Sequence, residues 1–221
     1  MSTARLARHL SIIIAMLCSG SVMATTTNTE KPTAPSGKSI VLNGNDNGAI
    51  PCKSCHGADG EGNAEQGYPM LAGLNAHYIA KQLNDFKHGI RQNPIMNTIA
   101  GDLSDQGIKN VAAYFSSLKP SLENADPSTY EIGENLAKQG DKAHSIPACF
   151  SCHGQGAHGS GEMFPAIAGQ HASYIATQLR NFKGGNRRND PNSMMGNVAR
   201  HLTDGQIEAV SVYISSLNPA H

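Results

Sequence analysis

Apolar residues recur at helical spacing near the end of each half of the chain. In residues 108–118, and again in 207–217, apolar side chains stand three or four positions apart, which predicts an amphipathic helix in each stretch. Ser104 and Thr203 are the expected N-caps, and Thr203 with Gln206 has the sequence of a capping box. The apolar positions are Ile108, Val111, Ala112, Phe115 and Leu118 in the first helix and Ile207, Val210, Ile214 and Leu217 in the second.

The same series of segments occurs twice along the chain, with an offset of 96 to 99 residues. Each copy also contains a middle segment with helical spacing, and in the second copy a first helix is expected from about Pro127 to about Gly140. No stretch alternates apolar and polar residues as a strand would. The fold class is therefore predicted to be all-α, with two tandem domains. The matched segments include 37–44 with 133–140, 69–73 with 165–169, 78–83 with 174–179 and 103–105 with 202–204.

The N-terminal segment has the layout of a secretory signal peptide. Arg5 and Arg8 precede an apolar run, and a segment of smaller residues leads to Ala24, after which cleavage is expected. The apolar run is too short to span a bilayer, so a retained membrane anchor is the less favoured interpretation. The predicted organisation is a signal peptide at 1–24, a flexible leader at 25–36, a first domain at 37–118, a linker at 119–126 and a second domain at 127–221.

Each half contains one Cys-x-x-Cys-His motif, which indicates covalently bound haem. The motif residues are Cys52, Cys55 and His56 in the first half and Cys149, Cys152 and His153 in the second. In c-type haem attachment the two thiols add across the porphyrin vinyl groups, and the adjacent His lies under the iron as its proximal ligand. A zinc site or a redox dithiol is the competing interpretation, but the pairs are 97 residues apart and neither lies near a βαβ pattern. The sequence therefore predicts two covalently bound haem c groups.

Composition and charge narrow the function further. Of five cysteines, Cys18 lies in the predicted signal peptide and the others belong to the haem motifs, so none is left for a disulfide. Without Arg5 and Arg8 the chain has 15 basic and 17 acidic side chains, and nothing indicates nucleic-acid binding. Small domains with so few aromatic residues are marginally stable alone. Haem is expected to supply the missing core, so each half is predicted to be largely unfolded without it.

A methionine downstream of each motif is the expected sixth ligand of the iron. A thioether opposite the His favours ferrous iron and raises the reduction potential. Counting back from the start of the last helix in each copy pairs Met96 with Met195, and Met194 is the alternative in the second loop. Met70 and Met163 are unmatched between the copies and are predicted to be core residues.

Bis-histidine ligation is the competing arrangement for the two irons. His77 and His171 both precede the middle helix, but they stand one and three residues before the tyrosine that the copies share, so they are not equivalent. The remaining candidates, which have no histidine counterpart in the other copy, are His88, His144, His158 and His201. Each of these histidines is therefore predicted to lie at the surface or beside a site rather than on iron.

Two further groups have more than one interpretation. The backbone carbonyl of Pro69 or Pro165 is placed to accept the Nδ1 hydrogen of the proximal His, although a proline there would also simply shape its loop. Basic residues surround the second methionine loop, where they would neutralise haem propionates, dock an acidic partner or form a solvated face. These residues are Arg180, Lys183, Arg187, Arg188 and Arg200.

The chain resembles the c4-type dihaem cytochromes c over about residue 37 to the C-terminus. The resemblance rests on both haem motifs, both Pro-x-(Leu/Ile)-Ala-Gly segments, the Tyr-Ile-Ala-x-Gln-Leu helices and the methionine loops. It implies two tandem class I cytochrome c domains, each a small helical fold around one haem, in a periplasmic protein with His/Met ligation. It also implies that Pro69 and Pro165 orient the proximal histidines. Members of the family shuttle electrons toward terminal oxidases, often in association with the inner membrane.

The expected function follows from two six-coordinate irons, which leave no open site for a substrate. We therefore expect a respiratory electron carrier rather than an enzyme, moving one electron per haem from a quinol-oxidising complex or other donor to a terminal cytochrome oxidase. The alternative is the dihaem electron-transfer subunit of a larger oxidoreductase, such as a flavocytochrome c. A dihaem peroxidase is a third possibility, and the matched methionines argue against it.

Overall fold

The computed structural model of the chain describes residues 31–120 and 131–219. The predicted signal peptide, the first part of the leader, most of the linker and the predicted start of the second domain lie outside the described residues. In the described segments the regular structure is helical, with three isolated β-bridges and no longer strand. The predicted all-α fold class is confirmed.

The same order of helices is found in both domains. The first domain contains α1 (Ala34–Asn43), α2 (Lys53–His56), α3 (Ala76–Lys87), α4 (Pro94–Gly101) and α5 (Asp105–Ser117). The described part of the second contains α6 (Glu131–Gln139), α7 (Phe150–His153), α8 (Ala172–Lys183), α9 (Met194–Ala199) and α10 (Asp204–Ser215), with 3₁₀ turns at Lys142–His144, Gln155–Ala157 and Pro191–Ser193. None of the described helices is long and apolar enough to cross a membrane.

Polar caps and one glycine define the helix ends that the sequence predicts. The Ser104 hydroxyl accepts a hydrogen bond of 3.0 Å from a backbone N–H in the first turn of α5. At the start of α10, Thr203 and Gln206 form both hydrogen bonds of a capping box. Helix α6 ends where Gly140 adopts a φ of 71°, a left-handed conformation that glycine adopts without strain. These predictions are confirmed.

The first and last helices of each domain cross closely at a glycine. A Cβ atom on Gly37 would lie 2.0 Å from the carbonyl oxygen of Asn110, and one on Gly133 would lie 2.2 Å from that of Ala209. A larger side chain would therefore force these helices apart. The crossing buries the predicted apolar faces. The positions that are at most 2% exposed include Ile108, Val111, Ala112, Phe115, Ile207, Val210 and Ile214.

Two details differ from the sequence prediction. The leader was predicted to extend to residue 36, but α1 already begins at Ala34, because Pro35 fits the first turn of a helix, where its missing N–H is not needed. Met163 is 57% exposed and is not a core residue. It lies in the turn that is closed by a bridge between Ser160 and Phe164, where it lines the cavity beside the Cys-x-x-Cys-His motifs instead of the core. Met70, in contrast, is 3% exposed, as predicted.

Candidate haem sites

Each Cys-x-x-Cys-His motif folds as a single helical turn. Cys52 caps α2 and Cys149 caps α7. The backbone amide of the motif histidine bonds to the carbonyl of the first cysteine, at 3.0 Å for His56 and 2.9 Å for His153. One turn of backbone thus carries both thiols and the imidazole, as the spacing predicts. Within the described residues no disulfide involves the motif cysteines, which are Cys52, Cys55, Cys149 and Cys152.

The motif histidines are buried and held by one hydrogen bond each. His56 Nδ1 lies 3.0 Å from the Pro69 carbonyl oxygen, and His153 Nδ1 lies 2.8 Å from that of Pro165. With the Nδ1 hydrogen donated to a carbonyl, Nε2 keeps the lone pair with which an imidazole binds metal. Burial lowers the pKa of both histidines, although the hydrogen bond to proline partly opposes this change. The structure confirms that the two proline carbonyls orient these histidines.

The first thiol of each motif is in an apolar environment. Burial raises the pKa of Cys52 and of Cys149 to about 11, and the charge of the second motif cysteine adds to this. A redox-active dithiol instead requires a lowered pKa, because the thiolate is the nucleophile. The environment of Cys52 and Cys149 therefore does not favour either thiol as the nucleophile of a redox dithiol.

Both motifs open into one cavity of about 1110 Å³, which is lined by residues of both domains. A pocket for one small ligand is typically about 300–1,000 Å³. The cavity wall carries the four thiols, the two buried imidazoles and apolar side chains such as Leu83, Phe86, Leu179 and Phe182. These groups fit two covalently bound haem c groups, one per domain. Haem supplies one-electron redox chemistry, and the protein supplies attachment, ligands and a dry environment.

The predicted methionine ligands line this cavity. Met96 lies in α4 and Met195 in α9, and both pack against the core of their own domain. The backbone amide of Met96 donates a hydrogen bond of 3.0 Å to Asn93 Oδ1, and that of Met195 donates one of 2.7 Å to Asp190 Oδ2. Met194 also lines the cavity, but it is not among the residues that pack against the second core.

Most of the other histidines lie away from the cavity. His77 is at its edge, but its side chain is 60% exposed and lies 3.7 Å from Glu162. His171 is buried between the domains, where its Nε2 is 2.9 Å from the Glu61 carbonyl oxygen. Among the described residues, the histidines that do not line the cavity are His88, His144, His158, His171 and His201.

A buried polar network joins the two domains beside the cavity. Arg91 reaches a tyrosine and a glutamine of the second domain, and Arg187 reaches the matching pair in the first. The hydrogen bonds run from Arg91 Nη2 to Tyr174 Oη (3.0 Å) and Gln178 Oε1 (2.8 Å), and from Arg187 Nη2 to Tyr78 Oη (3.2 Å) and Gln82 Oε1 (3.1 Å). Both arginines are 8% exposed. Each guanidinium also lies over a phenylalanine ring of its own domain, Phe86 at 4.6 Å and Phe182 at 4.5 Å.

The charges in this network shift the pKa of its members. Burial acts against the charged form of Arg187, but the neighbouring Tyr78 and Tyr174 outweigh this effect and raise its pKa. Burial also acts to raise the pKa of Tyr174, whereas the guanidinium groups of Arg91 and Arg187 lower it. The network therefore favours charged arginines at the domain interface.

Sequence reasoning missed this network. Arg187 is one of the basic residues expected around the second methionine loop as propionate neutralisers, a docking patch or a solvated face, but its side chain is buried at the domain interface, unlike the exposed Lys183, Arg188 and Arg200. No local feature of the sequence marks Arg91. The signal that would have found the pair is the repeat itself, because Arg91 and Arg187 occupy matching positions in the two copies.

A second set of contacts also crosses the domain interface. The Gln170 side chain brackets the main chain of Met70, accepting from its N–H and donating to its carbonyl oxygen, both at 2.9 Å. Ser173 Oγ donates a hydrogen bond of 2.9 Å to the Ala64 carbonyl oxygen. The start of α8 is therefore held directly against the loop that follows the first haem motif.

The helical fold and the two sites define a dihaem c-type cytochrome, and comparison with known proteins agrees. A sequence model described as Cytochrome c matches residues 37–119 and 133–218. The thiosulfate dehydrogenase electron acceptor of Stutzerimonas stutzeri is 41% identical over 189 residues, which cover 83% of this chain and 87% of that protein. Cytochrome c4 of Pseudomonas aeruginosa is 41% identical over 172 residues, covering 77% and 85%.

Two solved structures are also similar to this chain. Reduced cytochrome c4 from Pseudomonas stutzeri has a TM-score of 0.77 and 37% identity, and the match covers 85% of this chain and 100% of that one. Thiosulfate dehydrogenase (TsdBA) from Marichromatium purpuratum has a TM-score of 0.78 and 35% identity, but the match spans 83% of this chain and only 40% of that one. The chain belongs to the cytochrome c family, and within it to the dihaem c4 type. It is an electron-transfer protein with two covalently bound haem c groups, and it is not a catalyst.

Proposed function

We propose that the mature protein is a periplasmic electron carrier in which Met96 and Met195 complete the coordination of the two irons. The single cavity that both haem motifs and both methionines line supports this function most directly, because it brings the two redox sites together. A histidine and a methionine on each iron would leave no position for a substrate. The export pattern of residues 1–24 supports the periplasmic location.

The chain's own residues would act by binding and insulating the haems. The thiols attach each haem, and the proline carbonyls fix the planes of His56 and His153. The apolar cavity walls exclude water. This limits the reorganisation of solvent that accompanies a change in the charge of the iron. Both domains contain these features, so each domain is a complete site for the transfer of one electron.

Replacing either methionine should remove one ligand and no more. We expect Met96→Ala and Met195→Ala each to lose about half of the ferric methionine charge-transfer band, because each domain supplies one thioether. The reduction potential of the affected haem should fall, since the soft ligand that favours ferrous iron is gone. The measurement is optical spectroscopy with a haem count on the purified dihaem protein.

Met194→Ala is the matched control for this experiment. It removes a methionine that lines the same cavity but lacks the backbone hydrogen bond to Asp190 and the packing on the core. Its band should equal that of the wild type. A band that falls in Met194→Ala but persists in Met195→Ala would assign the second ligand to the other methionine.

The proposed partners are a catalytic oxidoreductase that donates electrons and a terminal oxidase that receives them. Two relatives are named thiosulfate dehydrogenase electron acceptors, at 41% and 45% identity, and a similar solved structure is a thiosulfate dehydrogenase. These names support a sulfur-compound dehydrogenase as the donor. They also support the second candidate, in which the chain is a bound electron-transfer subunit of such an enzyme, as in a flavocytochrome c.

A reduction assay distinguishes these partners. We expect purified thiosulfate dehydrogenase to reduce the oxidised protein rapidly when thiosulfate is added, with no reduction if either component is omitted. Copurification from the native organism separates a free carrier, which elutes alone, from a subunit, which elutes with its catalytic partner. An oxidised protein that this dehydrogenase leaves unreduced, but a quinol-oxidising complex reduces, would reject the sulfur-compound donor.

A further inference from the structure

The two proposed methionine ligands are capped by different side chains. In the first domain the neutral Asn93 accepts the hydrogen bond from the backbone N–H of Met96, at 3.0 Å. In the second domain Asp190 accepts the corresponding hydrogen bond from Met195, at 2.7 Å. Each cap stands directly before a proline at the start of its methionine loop, so the two side chains hold equivalent places. An amide in one domain is thus replaced by a carboxylate in the other.

The Asp190 carboxylate interacts electrostatically with the buried guanidinium of Arg187, but one of its two oxygens is left without a hydrogen bond in the described part of the chain. Its Oδ1 is buried and has no hydrogen-bond partner within the described residues, and Asp190 belongs to none of the salt bridges found there. The residue also lines the haem cavity. A partly buried charge is screened less by salt than an exposed one, so this carboxylate is placed to act on the second site.

The other charged residues on the cavity wall do not reproduce the difference that Asp190 and Asn93 make between the two domains. Arg91 and Arg187 supply one buried guanidinium from each domain. Lys81 is paired with a carboxylate one turn later on α3. The Glu162 side chain is 76% exposed and therefore well screened. Lys81 and Glu162 each lie in an ion pair, so Asp190 is the cavity-lining carboxylate of these that has no salt bridge among the described residues.

We propose that Asp190 positions Met195 and that its negative charge lowers the reduction potential of the second haem, whereas Asn93 leaves the first haem without this effect. Ferric haem carries one more positive charge than ferrous haem, so a nearby carboxylate stabilises the oxidised state. Burial and the groups that hold an axial ligand are means by which a protein sets a haem potential. The inference rests on the proposed ligation by Met96 and Met195.

A reciprocal exchange in the full dihaem protein tests this inference. Aspartate and asparagine have nearly the same shape, so Asp190→Asn removes the charge while an oxygen still accepts the hydrogen bond from Met195. We expect this variant to raise the potential of the second haem and to leave that of the first nearly unchanged. Asn93→Asp should lower the potential of the first haem. The readout is a redox titration followed by NMR, in which the methyl signals of the axial methionines distinguish the haems.

Arg188→Gln is the matched control for an exposed charge. Arg188 is an exposed residue of the same loop, and Gln92 holds its place after the matched arginine in the first domain. Because exposed charges are screened by salt, any shift caused by Arg188→Gln should fade at high ionic strength. The shift caused by Asp190→Asn should persist there.

The optical spectrum separates the possible failures. An unchanged or lowered potential of the second haem in Asp190→Asn, with the methionine band intact, would overturn the inference. Loss of the band in that variant would overturn it as well, because asparagine would then not be an equivalent cap. A band that is absent from the wild type would instead reject the ligands under the proposed function.

Discussion

Replacing Cys149 and Cys152 together with alanine is expected to give a protein that carries one haem and has an unfolded second domain. The buried side chains of this domain surround the shared cavity of about 1110 Å³. Leaving the domain's share of that volume empty would cost on the order of 10 kcal/mol, by the usual dependence of stability on cavity volume. The stability of a whole domain is about 5–15 kcal/mol. The helical circular dichroism signal should therefore fall by about half, and the second half of the chain should become sensitive to protease.

Ser151→Ala is the control for the cysteine variant. Ser151 lies between the two cysteines and is exposed, and its hydroxyl bonds only to the nearby Ala148 carbonyl and weakly to Cys152 among the described residues. The control should keep two haems per chain, as counted by the pyridine haemochrome assay, and full helicity. A Cys149→Ala/Cys152→Ala protein with one haem but wild-type helicity and protease resistance would show that the second domain folds without its haem.

Gln82→Met is expected to destabilise the folded protein strongly, because Gln82 accepts three hydrogen bonds at the domain interface. The Gln82 side-chain oxygen accepts hydrogen bonds from Arg91 Nη1 (2.9 Å), Arg187 Nη2 (3.1 Å) and Asn189 Nδ2 (2.9 Å). Methionine keeps the side-chain length but offers no comparable acceptor, so buried donors, two of them charged, lose a partner. We expect a loss of about 3 kcal/mol in the free energy of unfolding, since each unsatisfied buried group costs about 1–3 kcal/mol. Urea unfolding measures this loss.

The matching glutamine of the second domain provides a graded comparison. Gln178 Oε1 accepts from Arg91 (2.8 Å) and Arg187 (3.0 Å) and from no third donor among the described residues. Gln178→Met should therefore destabilise the protein less than Gln82→Met. Gln82→Glu, which keeps an oxygen acceptor for both arginines, should retain most of the stability. Equal stability of Gln82→Met and the wild type would show that the network contributes little to domain docking.

Local sequence features predicted the parts of this structure that depend on short stretches of chain. The capping box at Thr203 and Gln206 needs only residues one turn apart, and the sequence gives its position directly. The hydrogen bonds from His56 and His153 to proline carbonyls span 13 and 12 residues within one motif and its following loop. Such features depend on local backbone geometry that a motif already fixes, and this is why their predictions agree with the structure.

The domain interface could not be predicted in the same way. Arg91 and Tyr174 are 83 residues apart, and nothing near either residue indicates that the other will meet it. An arginine or glutamine considered alone is most often exposed. Met163 differs from its prediction for another reason, because this apolar residue lies outside the buried core, in a turn where it lines the haem cavity. Burial depends on the assembled domains and not on residue type alone.

Arg91 and Arg187 each bind the tyrosine and the glutamine of the other domain, and these reciprocal contacts resemble a symmetric homodimer interface. Each copy of the repeat offers a tyrosine, a glutamine and an arginine, and each receives the same set from the other. In separate polypeptides such an isologous contact would form only at sufficient protein concentration. When the two copies are joined in one chain, their association becomes intramolecular. Short linkers give such an association an effective concentration of about the millimolar level. The two redox domains therefore remain paired at any dilution. Each domain can also have a contact that the other lacks, and the hydrogen bonds between Gln170 and the main chain of Met70 are an example.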